Sequence, residues 1–170
     1  MRKLSTLLIA VFFSAIAVGQ NISGTVVMRF INSSYLKNSG GENPNRRISV
    51  YLPPGYEQSK QHYPVIYYLH GFMGTDTITP YMKSILDRGI VTKKIRPYLM
   101  VIADNYTLFS GSFYSNSPLI GDWTDFEAKE LVSYMDKNFR TIPTRDARGL
   151  GGHSMGGYGV LKIGMLYPDV

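Results

Sequence analysis

Gly151-Gly152-His153-Ser154-Met155-Gly156-Gly157 decides how this chain of 170 residues is read. It contains a G-x-S-x-G pattern, in which a serine is lifted out of a sharp strand-to-helix turn. Ala147-Arg148-Gly149-Leu150 reads as a short strand before it, and Tyr158 to Leu166 reads as a helix after it. That is the context the pattern requires. Gly152 and Gly156 leave room for the backbone and for an approaching carbonyl, so Ser154 is expected to stand exposed above a sheet as a nucleophile. Glycine-serine clusters also occur in flexible loops, so a second feature has to agree.

Pro64-Val65-Ile66-Tyr67-Tyr68-Leu69 is that second feature, a continuous apolar run of buried-strand type that ends abruptly in His70-Gly71-Phe72-Met73-Gly74. A glycine-rich turn at a strand end offers backbone N–H groups. Acyl transfer needs two such donors for the oxyanion of its tetrahedral intermediate. The residue after the serine, Met155, is expected to supply one and Phe72 the other.

The rest of the chain supports a layered fold. Gly24 to Ile31 is rich in β-branched residues and reads as a first strand, and Asn32 to Asn45 reads as a loop. Arg46 to Leu52 alternates, with Ile48, Val50 and Leu52 on one face, and Pro53-Pro54-Gly55 stops it. Thr79 before Pro80 opens a helix through Met82, Ile85, Leu86 and Ile90, and Tyr98 to Ala103 is another buried-type strand. Thr124 and Glu127 have the spacing of a capping box at the start of a helix whose core face is Leu131, Tyr134, Met135 and Asn138 or Phe139. Strands interleaved with helices predict an α/β fold, a mostly parallel sheet with helices on both faces. Ligands in such folds sit at the carboxyl ends of the strands, and His70, Asp104 and Ser154 all fall just beyond strand ends.

The chain resembles the putative esterase family of the α/β-hydrolase superfamily, which includes feruloyl esterases, enterochelin esterases, S-formylglutathione hydrolases and mycolyltransferases. The resemblance rests on Val50-Tyr51-Leu52-Pro53-Pro54-Gly55-Tyr56, on Tyr67-Tyr68-Leu69-His70-Gly71-Phe72, and on Gly121-Asp122-Trp123-Thr124-Asp125-Phe126 with Glu130-Leu131 and Arg140-Thr141-Ile142. It closes on the Ser154 turn and runs from about Arg46 to the end. The resemblance implies a carboxylic ester hydrolase that forms an acyl-enzyme on Ser154. Acyl transfer to a sugar hydroxyl and a catalytically silent binding module are the alternatives.

A serine hydroxyl needs a histidine to take its proton and an acid to orient that histidine. His153 should point away from Ser154, His70 sits in the expected oxyanion loop, and His62 belongs to the opposite rim. Asp169 lies too near the elbow helix to be the acid. The order serine, acid, histidine implied by the resemblance places both partners beyond Val170, so residues 20–170 are expected to be the N-terminal portion of the domain. Tyr106, Phe109, Phe113 and Tyr114 lie in the polar segment from Asp104 to Gly121 and are candidates for an acyl or aryl pocket. The expected substrate is a small-molecule or carbohydrate-linked ester.

Residues 1–19 have a basic start at Arg2 and Lys3, an apolar run from Leu7 to Val18 and small residues before Gln20. This is the layout of a secretory signal peptide, with export to the periplasm or beyond and no stable membrane span after cleavage. Its removal leaves sixteen basic residues against twelve acidic ones, scattered rather than set in an aromatic-lined groove, so nucleic acid is not an expected partner. With no cysteine, thiol catalysis and cysteine metal sites are excluded. Neither a metal nor another cofactor is expected.

Overall fold

The computed structural model describes residues 23–170, and the expected signal peptide lies outside them. The strands are β1 (Thr25–Asn32), β2 (Asn45–Leu52), β3 (Val65–Leu69), β4 (Leu99–Ala103), a short ribbon of β5 (Asn116–Ser117) and β6 (Gly121–Asp122), and β7 (Arg148–Gly152). Five of them form one sheet in the order β1-β2-β4-β3-β7. β1, β2 and β4 pair antiparallel, whereas β4, β3 and β7 run parallel, so the sheet is mixed and its parallel half ends on a single rim. Among the described residues β7 is an edge strand.

Side-chain alternation explains how the sheet is covered. Val65, Tyr67, Val50, Leu99 and Val101 face one layer with Trp123, Phe126, Leu131 and Met135. Met100, Ile102 and Tyr51 face the other with Leu86 and Ile90 of α1 (Pro80–Val91). β4 is therefore buried along its whole length, as its unbroken apolar sequence predicts. β2 departs from the one-sided expectation. Ser49 and Tyr51 are buried as well, because their hydroxyls donate to Asp76 at 2.9 Å and to Asp87 at 2.7 Å.

α1 begins as read: the Thr79 hydroxyl accepts the Met82 N–H at 3.1 Å and Pro80 takes the first helical position. The second helical segment does not. It starts earlier, as α2 (Trp123–Asp125), passes through a π-helical stretch at Phe126–Leu131 and continues as α3 (Val132–Asn138). The capping box is absent. The Asn116 side chain accepts the N–H groups of Thr124 and Asp125 from outside, and the Thr124 hydroxyl donates to the Tyr114 carbonyl. Glu127 is thereby free to point into the core.

α4 (Met155–Leu166) starts immediately after Ser154, earlier than the apolar pattern suggests. Two glycines permit it. A methyl group on Gly156 would lie 1.9 Å from the Leu69 carbonyl oxygen, and one on Gly152 would lie 2.7 Å from the Gly156 backbone. Gly164, on the outer side of the same helix, has open space around it. We expect Gly156→Ala to cost about 3 kcal/mol or more, the upper end of overpacking penalties. Gly164→Ala should gain roughly 0.5–1 kcal/mol from helix propensity. Denaturant melts of the two variants measure the contrast, and equal effects would contradict the packing of α4 on β3.

Candidate active site

Ser154 occupies the apex between β7 and α4 with φ 54° and ψ −121°. A residue with a side chain holds such a conformation at a cost of about 1–3 kcal/mol, and only where its surroundings over-determine it. Ser154 is exposed, and its hydroxyl makes no hydrogen bond among the described residues. Five of the six non-glycine residues with positive φ among those described are Met73, Ser110, Phe113, Tyr114 and Ser154. All five belong to the elbow or to the two loops that meet beside it.

The first of these loops follows β3. Its Gly74 N–H donates to the Gly71 carbonyl and its Met73 N–H donates to the Ser110 carbonyl, both at 3.0 Å. The N–H groups of Phe72 and Met155 have no hydrogen-bond partner among the described residues. Gly111 lies against both of their side chains: a methyl group there would lie 2.6 Å from the Met155 sulfur and 3.0 Å from the Phe72 ring. Met155 also stands at the start of a twelve-residue helix, where the backbone dipole favours negative charge.

The second loop follows β4. It is pinned by a buried ion pair between Arg46 and Glu42 at 2.7 Å. The Arg46 guanidinium donates to the Tyr106 carbonyl, and the Glu42 carboxylate accepts the Leu108 N–H. Phe113 packs on Phe72 with ring centroids 5.9 Å apart, and both are about half exposed. Tyr106 and Phe109 lie further along, also exposed. Tyr114 does not line this surface. It is fully buried, its ring lies against Gly159, and its hydroxyl donates to the His70 carbonyl at 2.9 Å, so it supports the rim from beneath.

Each imidazole is engaged away from Ser154. His153 Nδ1 meets the Tyr68 hydroxyl at 3.0 Å, and His62 Nδ1 meets the Thr141 carbonyl at 2.7 Å. His70 is buried, with Nδ1 at 2.8 Å from the Gly71 carbonyl and Nε2 accepting the Asn105 N–H at 3.0 Å. Behind it the Asn105 amide donates to Glu127 at 2.6 Å. Burial pushes the Glu127 carboxyl up to about 7, against the opposing pull of that amide. No cluster of His, Asp and Glu suited to a metal ion is present among the described residues.

The family model described as Putative esterase matches residues 39–170. The chain belongs to this esterase family. It is 34% identical over 131 residues to Esterase MT1326 of Mycobacterium tuberculosis, covering 75% of this chain and 27% of that protein. It is 34% identical over 134 residues to an endo-1,4-beta-xylanase/feruloyl esterase of Xylanibacter ruminicola, covering 72% of this chain and 18% of that one. Among solved structures, a ferulic acid esterase superposes with a TM-score of 0.74 at 28% identity, over 88% of this chain and 55% of that one. The fold is the α/β-hydrolase fold. The chain spans about half the length of that solved esterase and a smaller part of the other two.

Within this member of the esterase family, the sequence reading passes over Asn105 and takes Glu127 for a capping residue. Glu127 sits where a capping partner would, and nothing in the spacing tells a capping carboxylate from a buried one. Its raised value sets the direction of a pH effect. The native state keeps a proton that the unfolded chain releases near 4.5, so the stability it contributes is full below 4.5 and is lost as pH rises through about 7. Glu127→Gln keeps the acceptor for Asn105 but cannot ionise. Relative to the parent protein, its unfolding free energy should rise by about 3 kcal/mol between pH 4.5 and pH 8, as urea titrations would show.

Proposed function

We propose that the protein is an exported serine esterase in which Ser154 carries the acyl group. The observation that carries this reading is the strained, exposed Ser154 beside the two unpartnered N–H groups of Phe72 and Met155. Ser154 Oγ attacks the ester carbonyl carbon as its proton passes to a histidine, and the carbonyl oxygen becomes an oxyanion between the two N–H groups. Collapse of that intermediate expels the alcohol with the proton. Water then repeats the sequence on the acyl-serine. None of His62, His70 and His153 is assigned the role of the proton-accepting histidine, since each is engaged with another partner.

In this reading the exposed Phe72 and Phe113, whose rings pack together, with the exposed Tyr106 and Phe109 of the same loop as Phe113, form an apolar, aromatic surface for the substrate, which suits an aromatic or otherwise apolar acyl group. Two relatives, an endo-1,4-beta-xylanase/feruloyl esterase and a ferulic acid esterase, support the same substrate class, an ester between an aromatic acid and a carbohydrate. Residues 1–19 direct export in this reading. No helix among the described residues is long and apolar enough to cross a membrane.

In the full-length protein, Ser154→Ala should lower kcat for an aryl ester by about 10⁴-fold or more. A serine-directed phosphonate should label the parent protein on the peptide that contains Ser154 and leave the variant unlabelled. Retention of parental turnover by Ser154→Ala would sink the serine-esterase reading.

A further inference from the structure

His70 is too deeply engaged to act on a substrate, yet it touches one of the two peptides whose N–H groups form the proposed oxyanion site. Its tautomer follows from its neighbours. A backbone N–H can only donate, so the Asn105 N–H at 3.0 Å requires Nε2 to be the bare nitrogen. Nδ1 therefore carries the proton and donates to the Gly71 carbonyl at 2.8 Å. That carbonyl receives a second donor, the Gly74 N–H at 3.0 Å.

The Gly71 carbonyl and the Phe72 N–H belong to the same peptide group. The bond is trans, as no cis peptide occurs among the described residues, so the C=O and N–H bonds point in opposite directions within one plane and their dipoles add. Two donors on the carbonyl side fix the rotation of that plane. They also draw electron density away from the N–H, and hydrogen bonds in series strengthen one another in this way.

We infer that His70 is a positioning residue that aims and polarises the Phe72 N–H through the Gly71 carbonyl, with Asn105 and Glu127 holding its ring in the required tautomer. The inference rests on the serine-esterase reading above. It assigns the histidine of the loop to the oxyanion donor and not to proton transfer. Burial of the ring lowers its pKa, outweighing the carbonyl of Gly71 and the carboxylates of Asp104 and Asp76, which act in the opposite sense. A neutral ring suits this task, because protonation of Nε2 would set an N–H against the Asn105 N–H.

Two substitutions separate the two ring nitrogens. His70→Gln keeps an acceptor near the Nε2 position but loses the donor to Gly71. His70→Asn keeps a donor near the Nδ1 position and loses the acceptor. In the full-length protein, His70→Gln should lower kcat by about 10- to 100-fold, less than outright removal of an oxyanion donor, with KM changed by less than about threefold. His70→Asn should recover about tenfold of that loss. The ¹⁵N spectrum of the parent ring should show Nδ1 protonated and Nε2 bare, titrating below an exposed imidazole. Parental kcat in His70→Gln, equal losses in both variants that track their melting temperatures, or the opposite tautomer each overturns the inference while Ser154-dependent turnover leaves the esterase reading intact. Turnover that survives Ser154→Ala overturns that reading, and this inference with it.

Discussion

The contact between the Gly156 backbone and the Leu69 carbonyl, too close for any side chain, is the constraint from which the candidate site follows. It seats the first turn of α4 on the end of β3, so the elbow after β7 and the loop after β3 become neighbours. Gly159 extends the same face and receives the ring of Tyr114, whose hydroxyl then takes up the His70 carbonyl. Each of these helical glycines costs about 1 kcal/mol of intrinsic propensity relative to alanine. The helix therefore exists because of what it packs against, which is why its first turn is invisible to a reading by apolar spacing.

What the sequence makes legible divides along that line. Continuous apolar runs and stop signals place β3, β4 and α1 to within a residue or two, because burial and proline or glycine chemistry act locally. The strand-turn-helix at Ser154 is legible for the same reason, since only glycine tolerates the approach. The capping box fails because Thr124 and Glu127 satisfy distant partners, the Tyr114 carbonyl and the Asn105 amide. Tyr114 is misplaced for a related reason. A tyrosine in a polar loop carries no mark of whether its hydroxyl reaches solvent or a buried carbonyl.

Buried polar groups do for the rim what apolar packing does for the sheet. Arg47 and Ser49 hold the Asp76 carboxylate, and with it the segment before α1, against β2. Arg46 and Glu42 hold the loop after β4. Ion pairs of this kind contribute little net stability compared with an apolar replacement, but breaking one partner is costly. Their use here is directional. They fix where the backbone of each loop runs, and so support the positive φ of the loop residues Met73, Ser110, Phe113 and Tyr114.

The two N–H groups beside Ser154 are consequently held by unlike means. That of Met155 is set by the first turn of α4 and moves only if the helix does. That of Phe72 sits in a turn without regular structure, and its direction depends on the donors at the Gly71 carbonyl and on the bond from Met73 to Ser110. The loop that carries the exposed aromatics closes on itself, since the Thr107 hydroxyl donates to the Gly111 carbonyl and accepts the Phe109 N–H. Side chains at Phe109 and Phe113 can therefore differ without disturbing either N–H, provided that Thr107, Ser110 and Gly111 stay in place. In the proposed serine-esterase reading, recognition of the acyl group would rest on side chains that face solvent and stabilisation of charge on a backbone held from behind, so the two would be separable.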